Sequence, residues 1–354
     1  MPTMPEPLLA IKDLRVWFPI RKGVLNRVAG HVRAVDGVSL AMAKGETLGL
    51  VGESGCGKTT LGRAILGLEH ARSGSIRFAG QELNGMAEKE HRLLRRRCQM
   101  IFQDPYSSLN PRMTAMDLIT EGLAYHGLLA GRSREEAAAE LMHEVGLDRD
   151  GIFRYPHEFS GGQRQRLSIA RALSLQPDFI VCDEPVSALD VSVQAQVINL
   201  LLDLRAKHQL SYLFISHDLS VVRLIAQRVA VMYLGHIIEC GSCADILDAP
   251  LHPYTQALIS AVPTPGKDRR QRTVLTGEMP SPAAPPPGCP FHPRCPQAMP
   301  ICRTTMPAES SIGDHSVRCH LITTANTGDH NKRNDTTSAS TNDKASASSP
   351  RPDK

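Results

Sequence analysis

No run of about 18 uncharged apolar residues occurs in the 354-residue sequence, so the chain holds no helix suited to spanning a bilayer, and any membrane role must come through a partner. Net charge is scarce: 40 Lys and Arg against 36 Asp and Glu leave only +4, too little to imply general attraction to nucleic acid. The start lacks the charged-then-apolar segment of a secretory signal, and no internal repeat is visible. The expected compartment is therefore a reducing cytosol. There the nine cysteines are thiols, metal ligands or cluster ligands rather than structural disulfides. What is present suffices for a core: 42% of the residues are hydrophobic, in a length that fits one large domain plus an appendage.

Composition divides the chain into three. Residues 8–262 alternate short apolar runs with amphipathic stretches, the pattern of an α/β domain. The runs at 47–51, 100–102, 179–182, 212–215 and 229–232 are short and bounded by turn or helix signals, as buried parallel strands are. Ser133 with Glu136 forms a capping box opening a helix to Val145, which Gly146 ends. From 263 to 320 prolines crowd the stretch 278–288, which reads as an extended tether, and four cysteines follow. From 321 to 354 the chain is polar with almost nothing apolar, the composition of a disordered tail.

Gly52, Glu53, Ser54, Gly55, Cys56, Gly57, Lys58 and Thr59 match the phosphate-binding pattern G-x-x-x-x-G-K-[ST], and Thr60 follows. A strand run ends at Val51 and an apolar helical stretch, 61–68, comes after, which is the context the motif requires. Glycines let backbone N–H groups wrap phosphates, and a helix N-terminus adds its dipole. Lys58 then reaches the β- and γ-phosphates and Thr59 holds Mg²⁺. The run 179–182 ends in Asp183 and Glu184. Beside a phosphate loop, Asp183 is the expected Mg²⁺ partner, and Glu184 the group that polarises the attacking water.

Phe159, Ser160, Gly161, Gly162 and Gln163 resemble the ABC ATPase signature L-S-G-G-Q, with Phe in place of Leu, and 163–173 resembles the helix that follows it. Further matches come in family order. Gln103 resembles the Q-loop glutamine, Ser187 to Asp190 the D-loop, and His217, ending the run 212–216, the switch histidine. Phe18 resembles the aromatic that stacks on adenine; Trp17 is its close competitor, and either ring could instead be core. The resemblance implies a P-loop NTPase of the ABC type with a helical signature subdomain at about 105–175. It also implies an ATPase in which Glu184, His217 and Gln103 are catalytic, with Mg²⁺ at Thr59, Gln103 and Asp183. In that family two ATPase subunits pair head to tail. Ser160 and Gly162 of one then face the ATP held by the other, with a helix N-terminus aimed at the phosphate.

Additional stretches narrow the likeness. Residues 49–58, 102–111, 252–258 and 277–282, and the run from Cys289 to Cys295, resemble ATPase subunits of oligopeptide and dipeptide importers. The front segment 16–34 is most similar to the second of the two ATPase subunits in such systems. The expected partners are a second ATPase subunit, two transmembrane permease subunits whose coupling helices meet a face at about 104–122, and an extracytoplasmic substrate-binding protein. The expected place is peripheral, on the cytoplasmic face of the cell membrane. Importers of nickel or other small solutes in the same subfamily, and soluble non-transport ABC ATPases, are the alternatives; the latter usually carry twin cassettes or a long coiled-coil insertion, neither visible here. Cys289, Cys295, Cys302 and Cys319 accept zinc or a [4Fe–4S] cluster equally by their chemistry. Their spacings, five and six residues between the first three, differ from the close pairs of zinc ribbons, and the resemblance to peptide-importer ATPases implies the iron–sulfur cluster. His292, His315 and His320 are candidate substitute ligands but read as surface residues, and Cys240 and Cys243 as ordinary thiols.

Overall fold

The computed structural model describes residues 6–86, 88–261 and 277–322. The boundary expected at 262–263 and nearly all of the polar tail lie outside these residues.

Two sheets organise the chain. The first is antiparallel, in the order β2-β1-β4-β5, from β1 (Leu9–Lys22), β2 (Arg27–Met42), β4 (Ser73–Phe78) and β5 (Gln81–Glu82). The second has five parallel strands at its centre and edge: β9 (Arg228–Tyr233), β3 (Thr47–Val51), β8 (Ser211–Ser216), β7 (Phe179–Asp183) and β6 (Cys98–Ile101), in that order. Each of β3, β7 and β8 is buried along its whole length. Side chains of a strand alternate between faces, so one strand feeds two cores. In β8, Tyr212 and Phe214 join the core on the helical side, while Leu213 and Ile215 join the core shared with the antiparallel sheet.

The strands expected from the sequence recur within a residue or two. One differs: β6 spans Cys98–Ile101, because its pairing with β7 ends at the rung Ile101↔Cys182 and Phe102 leaves the sheet. The helix after the phosphate loop, α1 (Lys58–Ile65), starts three residues earlier than its apolar run suggests and stops before Gly67, which has φ 66°. Next come α2 (Glu88–Arg97), α3 (Pro105–Ser108), α4 (Ala115–Tyr125), α5 (Arg134–Glu144) and α6 (Gly161–Ser174). Reciprocal capping boxes start α4 (Thr114 with Asp117) and α5 (Ser133 with Glu136). Arg134 clamps the two helices together by donating to Asp117 and to Thr120. Beyond β7 the chain builds α7 (Val191–His208) and α8 (Leu219–Ile225), and after β9 come β10 (His236–Ser242), α9 (Cys243–Asp248) and α10 (Pro253–Ala261). Among the described residues no helix is long and apolar enough to cross a membrane.

The four-cysteine segment does not stand apart. Its hairpin, β11 (Ser310–Ile312) and β12 (His315–Val317), extends the large sheet by pairing β12 with β10 at Glu239↔Val317 and Cys240↔Ser316. Phe291 is fully buried against Tyr233 and Tyr254. The proline stretch is docked rather than hanging free: the Arg33 N–H donates to the Pro282 carbonyl at 2.9 Å. His315, read from the sequence as a surface residue, is buried, and its Nε2 meets the buried Glu239 carboxylate at 2.8 Å.

Candidate active site

The ends of β3, β7 and β8 bring together the residues that the sequence singled out. β3 delivers the chain into the loop at Gly52, and α1 takes it away. Gly57 is the hinge: it has φ 110°, and a Cβ there would stand 2.1 Å from the Ala34 carbonyl oxygen, so no other residue fits. As N-cap it makes no side-chain bond, so the first N–H groups of α1 are not consumed by a capping side chain. Lys58, buried, donates to the carbonyls of Gly52 at 2.7 Å and Glu53 at 2.9 Å. Thr59 Oγ1 donates to Asp183 Oδ1 at 3.0 Å. Ser54, Gly55 and Cys56 complete the loop, and the Gly235 N–H donates to the Cys56 carbonyl.

Asp183 ends β7, buried. Burial holds its carboxyl above the ordinary range, and the neighbouring Glu184 charge adds to that, against the Thr59 hydrogen bond and the charges of Arg63 and Lys58. A carboxylate in that position gains from a cation beside it. Thr59 and Asp183, 3.0 Å apart with oxygens facing, fit a divalent metal of the oxygen-preferring kind.

Glu184 follows in a left-handed backbone conformation, φ 45°, costly for a side chain of its kind. Its N–H donates to the Ile215 carbonyl on β8, which pins the turn. Its carboxylate is held on both oxygens: Gln103 Nε2 donates to Oε2 at 3.0 Å, and His217 Nδ1 lies 3.2 Å from Oε1. Three strand ends thus converge on one carboxylate, leaving the Gln103 carbonyl oxygen available to a cation.

Phe18 and Trp17 separate cleanly. The Trp17 ring lies under the guanidinium groups of Arg33 and Arg72, 4.7 and 4.6 Å from its centroid. Phe18 is exposed and pairs with Val32, two residues along β2 from Ala34, whose carbonyl abuts Gly57. Phe18 is thus the more exposed of the two rings.

The signature residues sit elsewhere on the chain, at the start of α6. Ser160 accepts from the Gln163 N–H at 3.3 Å, and Gln163 Oε1 accepts from the Ser160 N–H at 2.9 Å. Gly162 packs against the start of α7, where a Cβ would come within 2.5 Å of Val193 Cγ1, and Gly161 lies beside Leu189. Asp190 is the N-cap residue of α7, though its side chain makes no capping bond. Ser160 and Gln163 are exposed.

The four cysteines share one lobe. The Cys289 N–H donates to the Cys302 carbonyl at 2.8 Å. Burial pushes the Cys289 thiol up to about 11, helped by the nearby sulfurs of Cys302, Cys319 and Cys295. All four are free thiols, and among the described residues no group of three or more His, Cys, Asp or Glu side chains is disposed to hold a metal ion. The expectation of zinc or a [4Fe–4S] cluster at these cysteines is therefore not supported. His292 and His320 bind backbone carbonyls of Cys289 and Thr305 instead.

Sequence reasoning missed the far side of the loop. The Glu53 N–H donates to Tyr254 Oη at 2.9 Å, and the Glu53 carboxylate pairs with Arg294 Nη1 at 2.9 Å. Both groups of Glu53 are thereby engaged by C-terminal elements. The motif runs around Tyr254 and Arg294 were legible in the sequence, but not their partner.

Comparison with known proteins agrees with this geometry. A family model described as ABC transporter matches residues 35–187, and one described as oligopeptide/dipeptide transporter, C-terminal region, matches 238–302. The oligopeptide transport ATP-binding protein AppF of Bacillus subtilis is 53% identical over 321 residues, 89% of this chain and 98% of that protein. The oligopeptide transport ATP-binding protein OppF of Escherichia coli is 52% identical over 318 residues, 88% of this chain and 95% of that protein. A solved dimeric ATP-binding cassette, MJ0796, bound to ADP and Pi, has a TM-score of 0.58 at 26% identity, covering 66% of this chain and 98% of that one.

Proposed function

This chain belongs to the ABC transporter ATP-binding proteins of the oligopeptide type, and from that membership we propose that it hydrolyses Mg·ATP to drive peptide import through a membrane complex. The observation that carries the proposal is the convergence of residues that follow four neighbouring strands: Thr59 on Asp183, and Gln103 and His217 on the two oxygens of Glu184.

In this reading the loop from Gly52 to Thr60 wraps the phosphates with backbone N–H groups, and Lys58 gives its charge to the β- and γ-phosphates. Thr59, Asp183 and the Gln103 side-chain carbonyl oxygen would hold Mg²⁺, which would supply neutralising charge to the phosphate oxygens. Glu184 is the base: it accepts a proton from the water that attacks the γ-phosphorus as the bond to the ADP oxygen breaks. Gln103 and His217 keep that carboxylate aimed, and the adenine stacks on Phe18. The signature residues Ser160, Gly161, Gly162 and Gln163, with Asp190, serve the ATP of a second ATPase subunit. Because Ser160 Oγ acts only as acceptor in its own cap, its hydroxyl proton remains to be donated to a phosphate across the interface. ATP then favours the closed pair of subunits, since only that state completes both sites.

The same reading makes residues 8–262 the ATPase domain with its helical part at 105–175, and 263–320 an appendage. It sets the chain beside a non-identical sister ATPase, two permease subunits and an extracytoplasmic binding protein, peripheral at the cytoplasmic membrane face. No step runs through the four cysteines.

The test is reconstitution with the neighbouring membrane subunits. Peptide presented on the binding-protein side should accelerate ATP hydrolysis and be taken up. Lys58→Ala should raise the Kd for Mg·ATP roughly hundredfold, because two or more charge-assisted bonds to phosphate are lost. Unchanged affinity in that variant rejects the phosphate-loop assignment; ATP-driven uptake of nickel but not peptide rejects the cargo.

A further inference from the structure

The phosphate loop has a back as well as a front, and the back is made by residues from the end of the chain. Glu53, the first loop residue after Gly52, turns both its polar groups away from α1. Its N–H donates to Tyr254 Oη on α10, and its carboxylate lies 2.9 and 3.2 Å from Arg294 Nη1. The Arg294 side chain is only 7% exposed, the Glu53 side chain 27%. The guanidinium sits beside the Tyr233 ring, in the aromatic cluster with Tyr254 and Phe291. Met279 closes the next stretch: a Cβ on Gly55 would stand 3.5 Å from its terminal methyl. Meanwhile the carbonyl of Glu53 accepts from Lys58 at 2.9 Å. One residue therefore links the four-cysteine lobe to the lysine that meets the phosphates.

We infer that Arg294 is a positioning residue for nucleotide binding: its ion pair with Glu53 holds the phosphate loop in its receptive shape and couples the C-terminal lobe to nucleotide affinity. This rests on the assignment of the loop to Mg·ATP. Two physical reasons support the direction of the effect. A carboxylate in a loop that wraps a polyanion repels it unless a cation neutralises it, and Arg294 is that cation. A nearly buried Arg also leaves its partner uncompensated when removed, so Glu53 would reorient toward water and take its carbonyl off Lys58. By linkage, a lobe that favours nucleotide binding must itself be steadied by nucleotide.

The experiment uses the full-length chain and Mg·ADP, which is not turned over, followed by steady-state ATP hydrolysis in the assembled transporter. Arg294→Ala should weaken Mg·ADP binding roughly tenfold, with Arg294→Lys recovering part of the loss. In the assembly KM for ATP should rise while kcat holds, the pattern of lost uniform binding. Glu53→Gln combined with Arg294→Ala should cost no more than Arg294→Ala alone, since the two act as one contact. Arg318→Ala, which breaks an exposed ion pair with Glu309 in the same lobe, should change nothing. Amide exchange across residues 289–302 should slow on adding Mg·ADP to the wild type and not in Arg294→Ala. Wild-type chain that fails to bind Mg·ADP rejects the nucleotide assignment itself. Wild type that binds, with Arg294→Ala binding equally well or exchange in the lobe indifferent to nucleotide, overturns the coupling and leaves Arg294 a purely structural residue.

Discussion

The phosphate face and the signature face of this chain are built on different terms. At the phosphate face every acidic group has an internal partner: Asp183 has Thr59, Glu184 has Gln103 and His217, and Glu53 has Arg294. At the signature face the Ser160 and Gln163 side chains serve the cap of α6, each accepting from the other's backbone N–H, and both residues are exposed. The first face has the groups to hold one side of a phosphate-bearing substrate by itself. The second is a helix N-terminus with no phosphate residue of its own chain bonded to it. Under the proposed function such a chain supplies most of one site and the lid of another, which makes pairing a condition of turnover rather than an addition to it.

The comparison breaks first at Glu184. Glu184→Gln keeps the volume but removes the base, so kcat in the assembled complex should fall by about 10²–10⁴ while Mg·ATP affinity holds. Stopped-flow phosphate release against equilibrium binding separates the two. Near-normal turnover would take Glu184 out of the reaction and leave its two hydrogen bonds a structural device.

A smaller and more discriminating effect is expected at Ser160. In complexes holding one variant and one normal subunit, Ser160→Arg should leave nucleotide affinity at the variant's own loop unchanged. Hydrolysis at the partner's loop should drop roughly a hundredfold, the scale for losing one placed donor to a developing oxyanion. If instead the variant's own loop loses nucleotide, the two faces belong to a single site and the contrast between them is false.

Much of this contrast was legible in the sequence, and the reasons are local. The runs that became β6, β7 and β8 are short, largely apolar and punctuated, and Gln103, Glu184 and His217 follow them within a residue or two. The capping box at Ser133 lies within four residues. What escaped is what is not local. β1 and β2 carry Arg21, Lys22, Arg27 and Arg33 among their apolar residues, so no clean alternation announces the antiparallel sheet. The partner of Glu53 is 241 residues away, and that of His315 is 76 away; no spacing rule reaches so far. The cysteines show the opposite case: a legible pattern pointed to a metal group that the described residues do not support.

The smallest expected effect asks whether the phosphate face, alone of the two, is undermined by acid. His252 is buried behind the loop, where its Nδ1 accepts from the N–H of Tyr254, the residue whose hydroxyl takes the Glu53 N–H. Burial lowers its pKa from 6.5 to about 4, against the pull of the Glu239 carboxylate. His236, also buried, is lowered to about 4 for the same first reason. A histidine whose folded pKa is depressed binds more protons when unfolded, so stability rises with pH across the window from about 4 to 6.5. It is intact above that window and declines as pH falls through it, by on the order of 3 kcal/mol for each group at full extent. His252→Asn keeps an acceptor near Nδ1 and removes the titration. It should lower Tm at pH 7.5 through imperfect packing, yet reduce by about half the loss of Tm between pH 7 and pH 5, His236 carrying the remainder. Amide exchange in the phosphate loop should quicken over that range in the wild type, while exchange at the start of α6 keeps pace only with global unfolding. An acid slope identical in His252→Asn would mean that His252 does not titrate behind the loop, and that acid does not tell the two faces apart.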